Sequence, residues 1–325
     1  MILVTGGTGF FGSHLLHKLV AENQPVKALC RNNSNFDLVK KIQHQIEWCN
    51  ADVLDISALN DAMQNVDEIY HAAAMVSFHS AEHQRMLQVN VDGTANIVNL
   101  ALQNRVKKFA FISSVATLGR SETSKLIDEK NEWQDSKLNT QYALSKMLAE
   151  REVWRGNAEG LNTVVVNPCI MLGNGNWNEG SAAFFKNIYE GLKFYTEGVN
   201  AFVSVEDAVN ITFELMQKNI FNERFIIAEN NYSYHQIFNW VAQYLNCKAP
   251  TIKAGKSMLA LAWRIEKLKH AMTGKKSLIT KETATTAHLK CYYNNEKIKK
   301  NVAYSFTPIE EVIEQTAQQF LQSVK

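Results

Sequence analysis

Apolar residues open the chain as an unbroken run, Ile2-Leu3-Val4, without the alternation of a strand that has one wet face. Such a run suits a strand buried on both sides in a parallel sheet. Similar short runs recur at 25–30, 46–49, 68–71, 109–112 and 163–166, each closing on small or polar residues. Longer stretches between them repeat their apolar positions at three and four residues, which makes one helical face. They predict helices over 13–21, 56–64, 84–103 and 140–155; in the third, Val91, Ala95, Val98 and Ala101 line up. This alternation predicts an α/β fold, a doubly wound parallel sheet between layers of helix. The second half is less regular. A helix over 181–191, a strand over 201–207 entering a helix to 218, and a strand over 224–227 precede a mainly helical stretch with a last helix near Pro308.

Composition narrows the class. At 325 residues and 46% hydrophobic, the chain can bury a large core. With 34 basic against 32 acidic residues, no nucleic-acid surface is expected. The five cysteines are scattered with no C-x-x-C spacing, which fits a reducing compartment and no zinc or disulfide framework. No leader is read before the first strand, and no apolar run reaches the ~18 residues that span a bilayer. The expectation is a cytoplasmic protein.

The first strand breaks into Thr5-Gly6-Gly7-Thr8-Gly9-Phe10-Phe11-Gly12 and runs straight into a helix. Strand, glycine turn and helix aim backbone N–H groups and a positive helix end at a diphosphate. The glycines allow a tight turn, close approach of the ligand and close packing of helix on strand. A dinucleotide-binding domain is therefore expected over 1–168 with 200–228, and a smaller, mainly helical substrate-binding region over 169–199 with 229–325. Tyr-x-x-x-Lys occurs four times, at Tyr142/Lys146, Tyr189/Lys193, Tyr244/Lys248 and Tyr293/Lys297, so the bare pattern says little. Only the first falls on a helix between the fifth and sixth strands, after Ser113-Ser114. There, i and i+4 share a face. A nearby ammonium favours the phenolate of Tyr142, which then exchanges a proton with a carbonyl or alcohol while Ser114 hydrogen-bonds the same oxygen.

With these pieces the chain resembles the extended short-chain dehydrogenase/reductase superfamily, of the NAD-dependent epimerase/dehydratase type and a Rossmann fold, most of all its dihydroflavonol-reductase-like branch. The glycine stretch, Asp52-Val53, His71-Ala72-Ala73-Ala74, Asn90-Val91-Asp92-Gly93-Thr94, Ser113-Ser114, Tyr142-Ala143-Leu144-Ser145-Lys146, Asn167-Pro168 and Val203-Ser204-Val205-Glu206-Asp207 carry it, over roughly the first two-thirds of the chain. The resemblance implies a catalytic Ser114, Tyr142 and Lys146, with Lys146 also on the nicotinamide ribose. It implies cofactor contacts at Gly6, Gly9, Phe10, Phe11, Gly12 and Asn90. Asp52 and Val53 would meet adenine, Ala72, Ala73 and Ala74 would line the channel, and Pro168 to Ile170 would lie near the carboxamide. Serine-to-glycine spacing in the family, here ending at Gly119, selects Ser114 over Ser113. Asp52 and His71 equally suit ordinary strand-end residues.

Arg31, with Asn32 beside it, stands where an NAD-specific site usually has an acid. A guanidinium suits a 2′-phosphate, so NADP is expected, with NAD the less favoured cofactor. Val115-Ala116 after Ser114 departs from sugar dehydratases, Tyr142-Ala143 departs from the Tyr-Gly of similar epimerases, and Asp128-Glu129 with Trp133 resembles the reductases. The expectation is a reductase of a small-molecule ketone or aldehyde (or oxidation of the alcohol). A nucleotide-sugar epimerase and a non-catalytic nicotinamide sensor are the alternatives. Trp177, Phe184, Phe185, Phe194, Tyr195, Met258, Leu261 and Trp263 are expected beyond the strand ends, with a fate as core residues the alternative; Arg224 and Arg264 are the second half's only arginines. Over 256–272, Met258, Leu261, Ile265, Leu268 and Met272 share a helical face, with Lys256, Lys267, Lys269 and His270 as cations. That face is expected to cover the pocket; contact with a membrane surface is the other reading.

Overall fold

The computed structural model describes residues 1–119, 126–273 and 280–324, and of 268–273 the helical backbone alone. Seven parallel strands form the central sheet: β1 (Ile2–Thr5), β2 (Val26–Cys30), β3 (Glu47–Asn50), β4 (Glu68–His71), β5 (Lys108–Ile112), β6 (Thr163–Pro168) and β7 (Glu223–Ile227). Their order is β7-β6-β5-β4-β1-β2-β3. Chain direction across the sheet therefore reverses at β1, the switch point beyond whose C-terminal end such sheets bind their ligands.

Every residue of β1 and of β6 is buried, as their unbroken apolar runs require. Period-two alternation divides the side chains between two cores. Ile2, Val4, Tyr70, Ala110, Val164 and Phe225 pack with helices α1 (Phe10–Ala21) and α4 (Val205–Gln217). Leu3, Leu29, Ile69, Phe109, Phe111 and Val165 pack with α2 (Gly93–Gln103) and α3 (Gln141–Ala158).

Most expected elements lie within a few residues of their predicted bounds. The helix predicted over 84–103 is interrupted: after His83–Leu87 the backbone makes a π-helical turn, Gln88–Asp92, before α2. The strand predicted over 201–207 ends at Ser204, whose side chain caps α4 by accepting from Glu206 N–H. Val199–Ser204 lies in a second sheet, parallel to Ile170–Leu172 and antiparallel to Asn230–Ser233. Against this sheet pack α5 (Tyr234–Tyr244), α7 (Ile309–Ser323) and the short helix Ala183–Tyr189.

Of the six aromatic residues expected beyond the strand ends, Trp177, Phe184 and Phe185 serve the core of that second sheet instead. Phe185 is fully buried, Trp177 packs edge-on against Phe185 and Phe320, and Phe184 packs against Phe238. Two facing helices need large side chains between them, and these supply the volume. The helix α6 (Lys256–Thr273) also differs from expectation. It buries Leu259 between Ala254 and Ala284, while Met258, Leu261 and Ile265 point outward at 42%, 60% and 47% exposure. Leu268, Lys269, His270 and Met272 have side chains outside the described residues. Among the described residues no helix is long and apolar enough to cross a membrane.

Candidate active site

Gly6 takes φ +69°, and a Cβ there would lie 2.7 Å from Ala73 N, so the loop presses on the backbone after β4. At Gly12 a Cβ would stand 2.1 Å from Gly6 O, which ties the first turn of α1 to the same loop. Gly9 occupies the N-cap with no side chain capping the helix, and no acid sits in its first turn. The positive end of α1, at Phe10 and Phe11, is thus left for an anion supplied from outside. This cradle fits a dinucleotide diphosphate.

At the end of β2, Arg31 N–H donates to Ser34 Oγ (2.8 Å) and Ser34 N–H to Arg31 O (2.9 Å), a closed turn. Arg31 is exposed and meets no carboxylate among the described residues. Asn32 accepts from Asn50 Nδ2 (2.7 Å), which joins this turn to the end of β3. Asp52 follows β3; its Oδ1 accepts from Leu54 N–H (3.0 Å) and its Oδ2 lies 3.8 Å from Arg85. Val53 is buried against Gly93, where any Cβ would come within 2.6 Å of Val53 Cγ2. Ala72 and Ala73 are half-buried and Ala74 exposed on the cleft side of β4.

The geometry also separates the two serines. Ser113 is buried and donates to Glu150 Oε2 (2.6 Å). Ser114 is half-buried, its Oγ accepts from Ala116 N–H (3.2 Å), and its own O–H is left to donate. On α3, capped by Thr140 Oγ1 at Ala143 N–H (3.1 Å), Tyr142 and Lys146 share a face. Tyr142 packs edge-on against Phe78, and Lys146 Nζ donates to Ile112 O (2.7 Å) above the Phe111 ring. Lys146 is thereby seated at the end of β5, directly below Ser113-Ser114. Burial pushes its amine down to about 7, and the Glu150 carboxylate pulls it back up. The other three Tyr/Lys pairs lie away from the strand ends. Tyr189 is exposed on the short helix, Tyr244 bonds Glu310 (3.2 Å), and Tyr293 is buried beside the edge strand β7, where Lys297 donates to Arg224 O (2.8 Å).

Two residues from the sequence reading act one layer back. Asn90, buried, accepts from Met75 N–H (2.7 Å) and donates to Met75 O and Ser145 Oγ (2.9 Å each). Its amide is spent on holding the loop after β4 and helix α3, and the π-helical turn is what swings it inward. His71 is fully buried between two hydroxyls. Thr94 donates to Asn90 O (2.6 Å), so it accepts from His71 Nε2–H (2.9 Å). Thr5 accepts from Ala73 N–H (3.0 Å) and donates to His71 Nδ1 (2.6 Å). Donor accounting thus assigns the Nε2–H tautomer. Burial, with the Lys146 charge, lowers His71 to about 3 and keeps it neutral. Pro168 closes β6 and Ile170 begins the next strand, both at the mouth of the crevice.

Sequence reasoning missed Glu150. The i,i+4 spacing that pairs Tyr142 with Lys146 places it next on the same face, which was the available signal. Missed as well were Thr117 and Asn167, which bond Glu150 at 3.0 Å each.

The model of the NAD dependent epimerase/dehydratase family matches residues 2–228. Sterol demethylase protein B of Methylococcus capsulatus is 26% identical over 256 residues, 77% of this chain and 76% of that protein. Dihydroflavonol 4-reductase of Arabidopsis thaliana is 30% identical over 191 residues, 53% of this chain and 49% of the reductase. The structure of UDP-glucose 4-epimerase from Thermotoga maritima superposes with a TM-score of 0.81 at 19% identity, covering 100% of this chain and 99% of the epimerase. At that identity the likeness is one of fold.

Proposed function

The chain belongs to the NAD dependent epimerase/dehydratase family, as an NAD(P)-dependent oxidoreductase of the extended short-chain type, and from that premise we propose that it reduces an apolar ketone or aldehyde with NADP(H). In this reading the glycine cradle and the open end of α1 hold the diphosphate, Arg31 and Asn32 hold the 2′-phosphate, and Asp52 and Val53 meet the adenine. Ala72 to Ala74 line the channel, Lys146 holds the nicotinamide ribose, and Pro168 and Ile170 flank the carboxamide. The bound cofactor supplies the hydride that reaches the carbonyl carbon. Tyr142 gives the carbonyl oxygen its proton, Ser114 O–H donates to the same oxygen, and the Lys146 ammonium favours the phenolate that Tyr142 becomes.

One observation favours reduction of a carbonyl over epimerisation of a nucleotide sugar: of the second half's two arginines, Arg224 is committed to the protein and Arg264 is a surface residue of α6. Arg224 donates to Glu129 O and Asn131 O (2.7 Å each), and Arg264 stacks on Trp263 at 4.7 Å and bonds Ala260 O. Two phosphate charges normally need such donors. Apolar side chains at the mouth, Phe78 beside Tyr142 and exposed Val76, suit an apolar substrate. The arbiter is thermal unfolding with NADPH present. Ketones or aldehydes at ~100 times their dissociation constant are expected to stabilise by ~2.7 kcal/mol, UDP-sugars not at all. Stabilisation by UDP-sugars alone would replace this reading with the epimerase.

A further inference from the structure

Glu150 lies outside every role assigned above, yet it is the most heavily bonded side chain near the site. It is buried on α3, one turn beyond Lys146. Its Oε2 accepts from Ser113 Oγ (2.6 Å), Thr117 Oγ1 (3.0 Å) and Asn167 Nδ2 (3.0 Å). Its Oε1 accepts from Trp154 Nε1 (3.3 Å) and lies 3.5 Å from Arg224 Nη1. The carboxylate thus gathers the ends of β5 and β6, helix α3 and edge strand β7.

Two of these partners reach Ser114. Asn167 Nδ2 also donates to Ser114 O (3.1 Å), and the single Thr117 hydroxyl proton lies between that carbonyl (2.9 Å) and Glu150 Oε2. Arg224 carries the connection outward, since it holds the 128–131 loop through Glu129 O and Asn131 O. A carboxylate is required at the hub because every group aimed at it is a donor, and an uncharged acceptor would leave some of them unsatisfied.

We propose that Glu150 is a positioning residue for catalysis: it fixes the backbone that presents Ser114 and sets a buried carboxylate one helical turn from the Lys146 amine, on the same helix face. The proposal rests on the Ser114-Tyr142-Lys146 reading and deepens it. The groups facing Lys146 are few. They are Tyr142 and Glu150 on its own helix, neutral His71 from β4, and the Ile112 carbonyl and Phe111 ring from β5, with Arg224 of β7 acting through Glu150. Among the described residues Glu150 is the carboxylate in this group, and it opposes the lowering that burial imposes on Lys146.

The test compares Glu150→Gln and Arg224→Gln with the unaltered enzyme, each saturated with NADPH and assayed across pH. Glu150→Gln is expected to lower kcat by ~10–10²-fold and to move the alkaline limb of the profile to lower pH. Arg224→Gln leaves Glu150 less neutralised and is expected to move that limb to higher pH. A purely structural hub would lower kcat equally at every pH. Titration of Lys146 by NMR of its ε-carbon, in the same proteins without substrate, is expected to shift in the same two directions. Should the unaltered enzyme reduce no carbonyl, the reductase reading fails by itself and the NMR titration still decides the charge. Should Glu150→Gln not fold, the opposite shift in Arg224→Gln carries the test. Unmoved limbs and unmoved titration in the folded variants overturn the proposal.

Discussion

At residue scale, the site contrasts two buried bases held in different states. Lys146 keeps a carboxylate within its field and stays near the point of titration. His71 has only hydroxyl partners, so burial keeps it neutral. The sign of its effect on stability follows from linkage. The unfolded histidine takes up its proton near 6.5 and the folded one only near 3, so nothing is lost above that upper value. Stability then falls as pH drops from 6.5 toward 3, because the unfolded chain binds the extra proton. At about pH 4.5 the loss from this group is expected to reach about 2–3 kcal/mol. Urea unfolding at about pH 7 and pH 4.5 checks it. In His71→Gln the gap between the two unfolding free energies should narrow by that amount, and an unchanged gap would show that His71 protonates in the folded state.

Scale up to the elements and the differences between the sequence reading and the structure become understandable. Strands and the glycine loop were legible because β1 and β6 carry unbroken apolar runs, Ile2–Val4 and Val164–Val166, and Gly6 and Gly12 leave no room for a Cβ. The π-helical turn was not, since it depends on where Asn90 finds Met75 and Ser145, contacts 15 and 55 residues away in sequence. The same holds for the aromatics of the second half: helical spacing shows that a face is apolar and not which neighbour covers it. Choosing Ser114 over Ser113 on spacing is consistent with geometry, in which Ser113 is bound to Glu150. The turn Arg31–Ser34 is the element on which cofactor choice is expected to depend. Arg31→Ala should weaken NADPH binding by ~10-fold or more and leave NADH binding nearly unchanged, because one charge-assisted donor set is lost. Fluorescence titration with both reduced cofactors measures this; equal weakening of both would assign Arg31 to the adenine face, and tighter NADH binding by the unaltered chain would refute NADP preference.

For the whole molecule, the two sheets build distinct bodies. The parallel sheet brings the ends of β1, β2, β4, β5 and β6 to one edge, so that glycine loop, Arg31 turn, Ser114 and α3 share a crevice. The second sheet with α5 and α7 builds a separate apolar body. In the proposed reaction the hydride reduces the carbonyl while Tyr142 gives its oxygen the proton. Its most direct measurement is loss of NADPH absorbance with a panel of aromatic and aliphatic ketones and aldehydes, for the unaltered chain and for Tyr142→Phe. The expected result is net NADPH consumption with at least one carbonyl compound, and a ~10²–10⁴-fold lower rate in Tyr142→Phe with cofactor binding retained. Net consumption at an equal rate in both proteins, or none in either while UDP-sugars are interconverted, would contradict it.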